Sequence, residues 1–141
     1  ADNIPAFLKV AGGCHGGPDR RYKVVEVTTQ LADHPITTGI EDFKVREEFY
    51  FKLKFPKDAK SHAAVLQVPI EGQLETVSWA WQRPDGGRSF GFSGLHFHEN
   101  LKRPEYRRLL SQGVLWTMKK EIPKQGLGVD IDEKLLSVEK E

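Results

Sequence analysis

Residues 79–92 read WAWQRPDGGRSFGF. Two tryptophans alternate with small or polar residues before the central PDGG, and two phenylalanines alternate with serine and glycine after it. A proline, an aspartate and two glycines in succession are typical of a tight turn, and period-two spacing is typical of strands. The stretch therefore predicts an antiparallel β-hairpin that turns at residues 84–87.

Outside the hairpin, apolar spacing predicts further strands and helices. Helical spacing behind a proline favours a helix over Pro104–Met118, and the proline and paired glycines of Ile4–Gly13 are typical of the last turns of a helix. Period-two alternation or short apolar runs favour strands over Tyr22–Thr29, Phe43–Phe55 and Ala63–Val68. The charged residues 129–141 are interpreted as a surface tail. This mixture predicts one α/β domain.

Composition excludes several classes of protein. A chain of 141 residues suits one globular domain, and 21 Lys plus Arg against 20 Asp plus Glu leave no net basic field for a nucleic acid backbone. The longest apolar runs fall far short of the roughly 20 residues that cross a bilayer, so no membrane partner is expected. The single cysteine, Cys14, excludes an intramolecular disulfide and a zinc site built from several cysteines. It leaves cytoplasm and periplasm equally open.

Two histidines lie just beyond the predicted hairpin. His96 and His98 are followed by Glu99 and Asn100, and the ends of strands in open α/β sheets are where ligands collect. In an extended segment both imidazoles share a face, so they could bind one divalent metal ion, or one could move a proton near neutral pH. The alternative is that one ring caps the following turn while the other is solvated.

An acidic pair precedes a tyrosine in the predicted strand Phe43–Phe55. Glu47 and Glu48 are adjacent, so an extended backbone points them to opposite faces, and only one can enter a site while the other meets solvent. Tyr50 shares the face of Glu48. A solvated strand edge is the alternative. We expect one of the two histidines to lie within hydrogen-bonding distance of Glu48, of Tyr50 or of a bound ion.

Other residues have both a binding and a structural interpretation. Trp79 and Trp81 share a face, as sugar-stacking rings do and as hairpin packing also requires. Arg88 could hold a carboxylate or a hydroxyl, or lie on the surface. His15 lies in a glycine-rich loop that permits close approach of a ligand. Cys14 satisfies the spacing G-x-C-x-G of nucleophile elbows, but a helix end precedes it where an elbow needs a strand, so we interpret it as a loop cysteine.

Three ordered motifs carry a family resemblance. They are DHPITTGI at residues 33–40, EEFY at residues 47–50, and residues 79–100 with the following helix that ends in Leu115-Trp116-Thr117. The first two resemble the HPIT-x-G and DE-x-Y elements of bacterial ThuA-like (trehalose utilisation) domains, in the same order. The resemblance extends over about residues 10–128 and is to the C-terminal half of such a domain.

The resemblance implies a fold. ThuA-like domains are similar to class I glutamine amidotransferases, which implies a flavodoxin-like sheet with helices on both faces and an added antiparallel hairpin. The N-terminal β-α-β units of such a domain are not found in the sequence, so residues 1–141 are interpreted as a single partial domain. The complementary strands are expected from an N-terminal fragment or from other copies in an oligomer, because an unpaired sheet edge invites pairing.

The resemblance also implies a function in bacterial carbohydrate catabolism, on trehalose or a related keto-disaccharide. The expected chemistry is acid–base catalysis by a hydrolase or isomerase type of enzyme, and the alternative is a noncatalytic sugar-binding or scaffold domain. The expected catalytic residues are His96, His98 and Glu48. The expected contacts to a small sugar ligand come from His15, Tyr50, Trp79, Arg88, Glu99 and Asn100. A divalent metal is the cofactor that the histidine pair could hold.

Overall fold

The computed structural model describes residues 3–57 and 59–136. The helices are α1 (Ile4–Ala11) and α2 (Pro104–Thr117). The strands are β1 (Arg21–Thr28), β2 (Gln30–Leu31), β3 (Lys44–Phe51), β4 (His62–Ile70), β5 (Gln73–Gln82) and β6 (Arg88–Phe92). Short 3₁₀ turns lie at Pro35–Thr37, Ala59–Ser61, His98–Lys102 and Glu133–Leu136. Neither α-helix in the described ranges is long and apolar enough to cross a bilayer.

The strands form two antiparallel sheets. One sheet pairs β1 with β3, and the other has the strand order β2-β4-β5-β6. The predicted hairpin is the β5–β6 pair, in which Trp79 lies opposite Gly91 and the turn is closed by a 2.8 Å bond from the Arg83 amide to the Gly87 carbonyl. The α/β class and the antiparallel hairpin are thus confirmed. The parallel pairings of a flavodoxin-like sheet do not occur among residues 3–57 and 59–136.

Local sequence explains where the strands end. The predicted strand Phe43–Phe55 stops at Phe51, since Lys52 adopts a left-handed backbone with φ 54°. Strands β4 and β5 are joined through Glu71 and Gly72, both with positive φ, which is the backbone of a two-residue hairpin turn. No bulge interrupts β3, because its buried positions alternate in one phase from Val45 to Phe51.

The hydrophobic core lies between the two sheets and α2. Aromatic rings link these layers: the Phe49 ring lies 6.3 Å from that of Phe92, and Phe92 lies 5.4 Å from Tyr106 on α2. Gly113 lets α2 approach the larger sheet, since a Cβ there would lie 2.4 Å from the Phe90 ring. The buried apolar cluster consists of Ile36, Phe43, Val45, Phe49, Phe51, Val65, Leu66, Val68, Ile70, Val77, Ala80, Tyr106, Leu109 and Trp116.

The C-terminal end of helix α1 packs on the face of the β5–β6 hairpin that is opposite to α2. Gly12 and Gly13 end the helix against the rings of Trp81 and Trp79, where a Cβ on either glycine would lie within 2.6 Å of a tryptophan atom. The indole N–H of Trp79 donates to the Ala11 carbonyl at 2.8 Å. The two tryptophans therefore have the packing role that the sequence left as one of two alternatives.

The segment after α2 returns along that helix. The Nε atoms of Arg107 and Arg108 donate to the carbonyls of Val129 and Leu127 at 2.8 and 2.9 Å, and Gln112 accepts from the Leu127 amide at 2.7 Å. Part of the predicted tail 129–141 thus lies on the surface of α2, and its residues 137–141 lie outside the described residues.

Candidate functional site

The outer face of the two-stranded sheet carries the first part of the candidate site. Burial alternates along β3, so Glu47 points inward while Glu48 and Tyr50 lie on the outer face. Across the ladder, Tyr22 lies opposite Tyr50 and Val24 lies opposite Glu48. The prediction that Glu47 and Glu48 take opposite faces, with Tyr50 beside Glu48, is confirmed.

His96 reaches this face from the loop that follows β6. Its Nδ1 lies 3.3 Å from Oε1 of Glu48, which confirms the expected approach of one histidine to Glu48. The Glu48 side chain is 14% exposed, whereas that of His96 is 52% exposed. A carboxylate at Nδ1 orients the ring, and when Nδ1 carries the proton the lone pair of Nε2 can accept another. The pair has the arrangement of a carboxylate-oriented general base.

His15 lies over Tyr50 on the same face. The two ring centroids are 4.6 Å apart, and the Tyr22 ring lies 6.0 Å from that of Tyr50. Nε2 of His15 lies 3.1 Å from the Arg21 carbonyl, which accepts only from a protonated nitrogen, so Nδ1 keeps its lone pair in the neutral ring. Burial lowers the pKa of His15 below its ordinary value, although the Arg21 carbonyl opposes the change. The neutral ring is therefore favoured near pH 7.

Backbone contacts fix the loop that carries His15. Cys14 and Lys54 exchange both of their backbone hydrogen bonds, at 3.0 and 2.9 Å. The loop directly follows α1 and Gly12 rather than a buried strand, so the geometry of a nucleophile elbow is not present around Cys14. Beside the loop lies an open hollow of about 380 Å³. The hollow is lined by Asn3, Ile4, Phe7, Ala11, Gly13, Cys14, His15 and Gly16.

Glu47 is a fully buried carboxylate beneath the His96 loop, and it is 0% exposed. Its Oε1 accepts from the backbone amides of Glu48 at 2.8 Å, His96 at 3.1 Å and Phe97 at 3.3 Å. Its Oε2 accepts from the Leu95 amide at 3.1 Å. A buried carboxylate is tolerated only where hydrogen bonds replace its hydration, and here the loop supplies three of the four backbone donors.

Side chains complete the environment of Glu47. Nδ2 of Asn100 donates to Oε2 at 2.9 Å, and the hydroxyl of Tyr106 donates to it at 3.4 Å. Burial, together with the neighbouring Glu47 carboxylate, raises the pKa of Tyr106 far above its ordinary value. Tyr106 therefore keeps its proton and remains a donor.

The sequence interpretation missed Glu47, because the carboxylate that does not face the site was expected to meet solvent. That expectation is wrong. The signal was in the phase of β3, where Glu47 occupies the same register as the buried Val45, Phe49 and Phe51. A carboxylate in the apolar phase of a strand indicates a buried polar site, since ionised side chains are almost never fully buried without partners.

One known protein family covers most of this chain. The family model of ThuA, described as trehalose utilisation, matches residues 4–117. The chain belongs to the ThuA family. No curated protein and no solved structure matches it. The match with the ThuA family includes the acidic pair on β3, Tyr50 and the His96 loop, so the candidate site lies inside the family domain.

His98 does not join His96 at the candidate site. The chain turns into the 3₁₀ segment His98–Lys102, so the shared face expected of an extended segment does not form. Nε2 of His98 lies 3.0 Å from the carbonyl of Leu136 in the returning C-terminal segment. Glu99 is exposed in the first turn of the same 3₁₀ segment. Within the described residues, no group of three or more His, Cys, Asp or Glu side chains is arranged to hold a metal ion.

Asn100 lies beneath the loop rather than on its surface. Its Nδ2 donates to the Arg46 carbonyl at 2.9 Å as well as to Glu47, and the residue is 5% exposed. Asn100 therefore connects the 3₁₀ turn to β3.

Trp79 and Arg88 also lie away from Glu48. Trp79 is 7% exposed under α1. Arg88 donates to the Trp116 carbonyl at 3.2 Å, and its guanidinium lies 4.8 Å from the centre of the Trp116 ring. Trp116 is near the C-terminal end of the 14-residue helix α2, about 18 Å along the helix from Pro104, the end that follows the His96 loop. The structure thus brings together His15, Glu48, Tyr50 and His96.

Proposed function

We propose that this ThuA-family chain acts on a sugar by acid–base chemistry at a hydroxyl or carbonyl group, with His96 moving the proton. The proposed substrate is trehalose or a related keto-disaccharide, and the proposed role is in carbohydrate catabolism. The observation that carries the proposal is the 3.3 Å contact between His96 and Glu48 on an exposed face beside Tyr50.

The two members of the pair have different surroundings, which suits different roles. Glu48 is largely buried, so its negative charge is poorly screened and stabilises the imidazolium that forms when His96 accepts a proton. His96 is half exposed and can reach a ligand. An imidazole can both accept and donate a proton, which suits transfer in both directions. A base that takes a proton from water and returns it to the leaving oxygen fits a hydrolase, and a base that takes a proton from one carbon and returns it to the adjacent carbon fits an isomerase.

Sugar contacts are proposed for Tyr50 and His15. Tyr50 is 39% exposed and lies two residues from Glu48 on the same face of the strand, so its hydroxyl can donate to a sugar oxygen. His15 keeps a lone pair at Nδ1 that can accept from a sugar hydroxyl. The hollow of about 380 Å³ beside His15 falls within the range of about 300–1,000 Å³ typical of small-ligand sites.

We also propose that further β-α-β units complete a flavodoxin-like domain around these residues. Large apolar side chains are exposed on α1 and β1, with Phe7 and Val10 each 60% exposed and Tyr22 66% exposed. Complementary β-α-β units, from an N-terminal fragment or another copy, would cover these residues. Because the Tyr22 ring lies 6.0 Å from Tyr50, such units would also border the site.

The test compares turnover and binding in matched histidine variants. Trehalose and a keto-disaccharide are incubated with the chain, turnover is followed by proton NMR, and binding by saturation transfer. We expect His96→Asn to lower kcat by about 10²–10⁴-fold with binding retained, and His98→Asn to leave turnover near that of the unaltered chain. Binding without turnover by the unaltered chain would instead support the noncatalytic sugar-binding domain. Absence of both, with the complementary units added, would contradict the proposal.

A further inference from the structure

One oxygen of Glu47 bonds to the backbone of both members of the His96–Glu48 pair. Oε1 accepts from the Glu48 amide at 2.8 Å and from the His96 amide at 3.1 Å. The two residues belong to different parts of the chain, since Glu48 lies in β3 and His96 in the loop after β6. A single atom therefore sets the separation of the two backbones whose side chains meet on the outer face.

The loop that Glu47 holds is strained where it begins. Leu95 has a φ of 78°, in the left-handed region that branched side chains rarely adopt. Such a conformation persists only where the surroundings fix it, and the Leu95 amide donates to Oε2 of Glu47 at 3.1 Å. The amides of Leu95, His96 and Phe97 thus converge on one carboxylate, as consecutive amides converge on an anion in a backbone nest.

We propose that Glu47 is a positioning residue, which holds the 95–97 loop so that the His96 imidazole lies against Glu48. This inference rests on the proposed function in one respect only, which is that the His96–Glu48 pair moves the proton.

The chemistry of the position requires a carboxylate. Each of the contacts to Glu47 is a donor, from the amides of residues 48 and 95–97, from Asn100 and from the Tyr106 hydroxyl. A glutamine in the same place would turn an NH₂ group toward some of these donors and leave them without an acceptor. Asn100 donates to Oε2 at 2.9 Å and Tyr106 at the longer distance of 3.4 Å, so Asn100 fixes the carboxylate even without the Tyr106 hydroxyl.

The test measures how strongly His96 senses Glu48. The ring resonances of His96 are recorded in carbon–proton NMR spectra before and after Glu48→Gln, first in the otherwise unaltered chain and then in a Glu47→Gln background. We expect Glu48→Gln to shift the His96 resonances in the first case and to leave them unmoved in the second. Tyr106→Phe is the matched control, because it removes a donor to Oε2 and leaves the loop amides bonded, so the response to Glu48→Gln is retained.

Two outcomes would overturn the positioning role. One is a folded Glu47→Gln variant in which Glu48→Gln shifts His96 as much as in the unaltered chain. The other is measured without any substitution, which covers the case in which Glu47→Gln does not fold. The amides of Leu95 and His96 should exchange with solvent at least about tenfold more slowly than random-coil rates, and unprotected amides would contradict their bonds to Glu47.

The measurement separates this inference from the proposed function. It needs no sugar and no turnover, so an inactive chain with the expected NMR response supports the positioning role and contradicts only the catalytic proposal. A Glu48→Gln substitution that leaves His96 unmoved in the unaltered chain would remove the pair itself, and with it the role of Glu47.

Discussion

Ser93 and Tyr50 hold the two sheets together by hydrogen bonds in both directions. The Ser93 hydroxyl donates to the Tyr50 carbonyl at 2.8 Å, and the Tyr50 amide donates to the Ser93 carbonyl at 3.4 Å. The amide of Ser93 in turn donates to Val77 in β5 at 2.8 Å. Because Tyr50 is in β3, the relative position of the sheets near the candidate site depends on this contact.

Replacing Ser93 with alanine should weaken the domain and disturb the site. One lost hydrogen bond costs about 0.5–1.5 kcal/mol of unfolding free energy, and the sugar binding that we propose for Tyr50 should weaken as the end of β3 moves. Ser78→Ala is the matched control, because the Ser78 hydroxyl bonds to the Gly91 carbonyl at 2.9 Å inside one sheet. Urea denaturation should show similar losses in both variants, while NMR shifts of the Tyr50 ring should change in Ser93→Ala alone. Equal shifts in both would refute the link.

Stability should decrease as the pH falls through the histidine range. Burial lowers the pKa of His34 and of His62 below the ordinary value of 6.5. Near pH 6.5 the unfolded chain therefore takes up protons that the folded chain does not, so acidification favours unfolding. We expect the unfolding free energy to be greatest above about pH 7 and to decrease between about pH 6.5 and 5.

Urea denaturation at a series of pH values measures this effect. A variant with both His34→Asn and His62→Gln should show a flatter pH profile over the same interval. Carboxylates such as Asp19, Glu26 and Asp85 have lowered pKa values as well, so their contribution is lost at more acidic pH. A stability that increases on acidification from pH 7 would contradict the expected sign.

Local chemistry made part of the fold predictable. The β5–β6 hairpin follows from turn residues and alternation within one short stretch, and the opposite faces of Glu47 and Glu48 follow from strand geometry alone. The choice between sugar stacking and packing for Trp79 could not be made from the hairpin. It depends on Gly13, which is distant in sequence and fits against the indole ring.

The candidate site needed contacts that no local pattern encodes. The burial of Glu47 is possible only because the loop after β6 turns its amides inward, and that turn depends on the positive φ of Leu95. His98 left the predicted shared face because a 3₁₀ turn begins there. Spacing rules for extended chain hold only while the chain stays extended, so the sequence predicted one of the two histidines at Glu48 without identifying which.

Glycine at position 91 should be required for hairpin packing. A Cβ on Gly91 would lie 2.1 Å from Cζ2 of Trp79, which is buried under α1 and cannot move aside without disturbing that helix. Gly91→Ala should therefore cost about 1–3 kcal/mol of unfolding free energy. At Gly128, a Cβ would meet no atom within 4 Å. Gly128→Ala is thus the control, and equal denaturation midpoints for the two variants would contradict the packing argument.

The exposed apolar face of α1 and β1 should govern association. Phe7 and Val10 on α1 are each 60% exposed, and burying such side chains is worth about 1.5–3 kcal/mol each. We expect the chain alone to self-associate in multi-angle light scattering, and Phe7→Gln with Val10→Gln to reduce the average mass. Val114→Gln is the control, because Val114 is 55% exposed but lies on α2.

If complementary β-α-β units cover the α1 face, adding them should also suppress self-association, and the Phe7 and Val10 substitutions should weaken their binding. A chain that remains a stable monomer at all concentrations and does not bind such units would contradict the association proposal, because the apolar face would then need no partner to cover it.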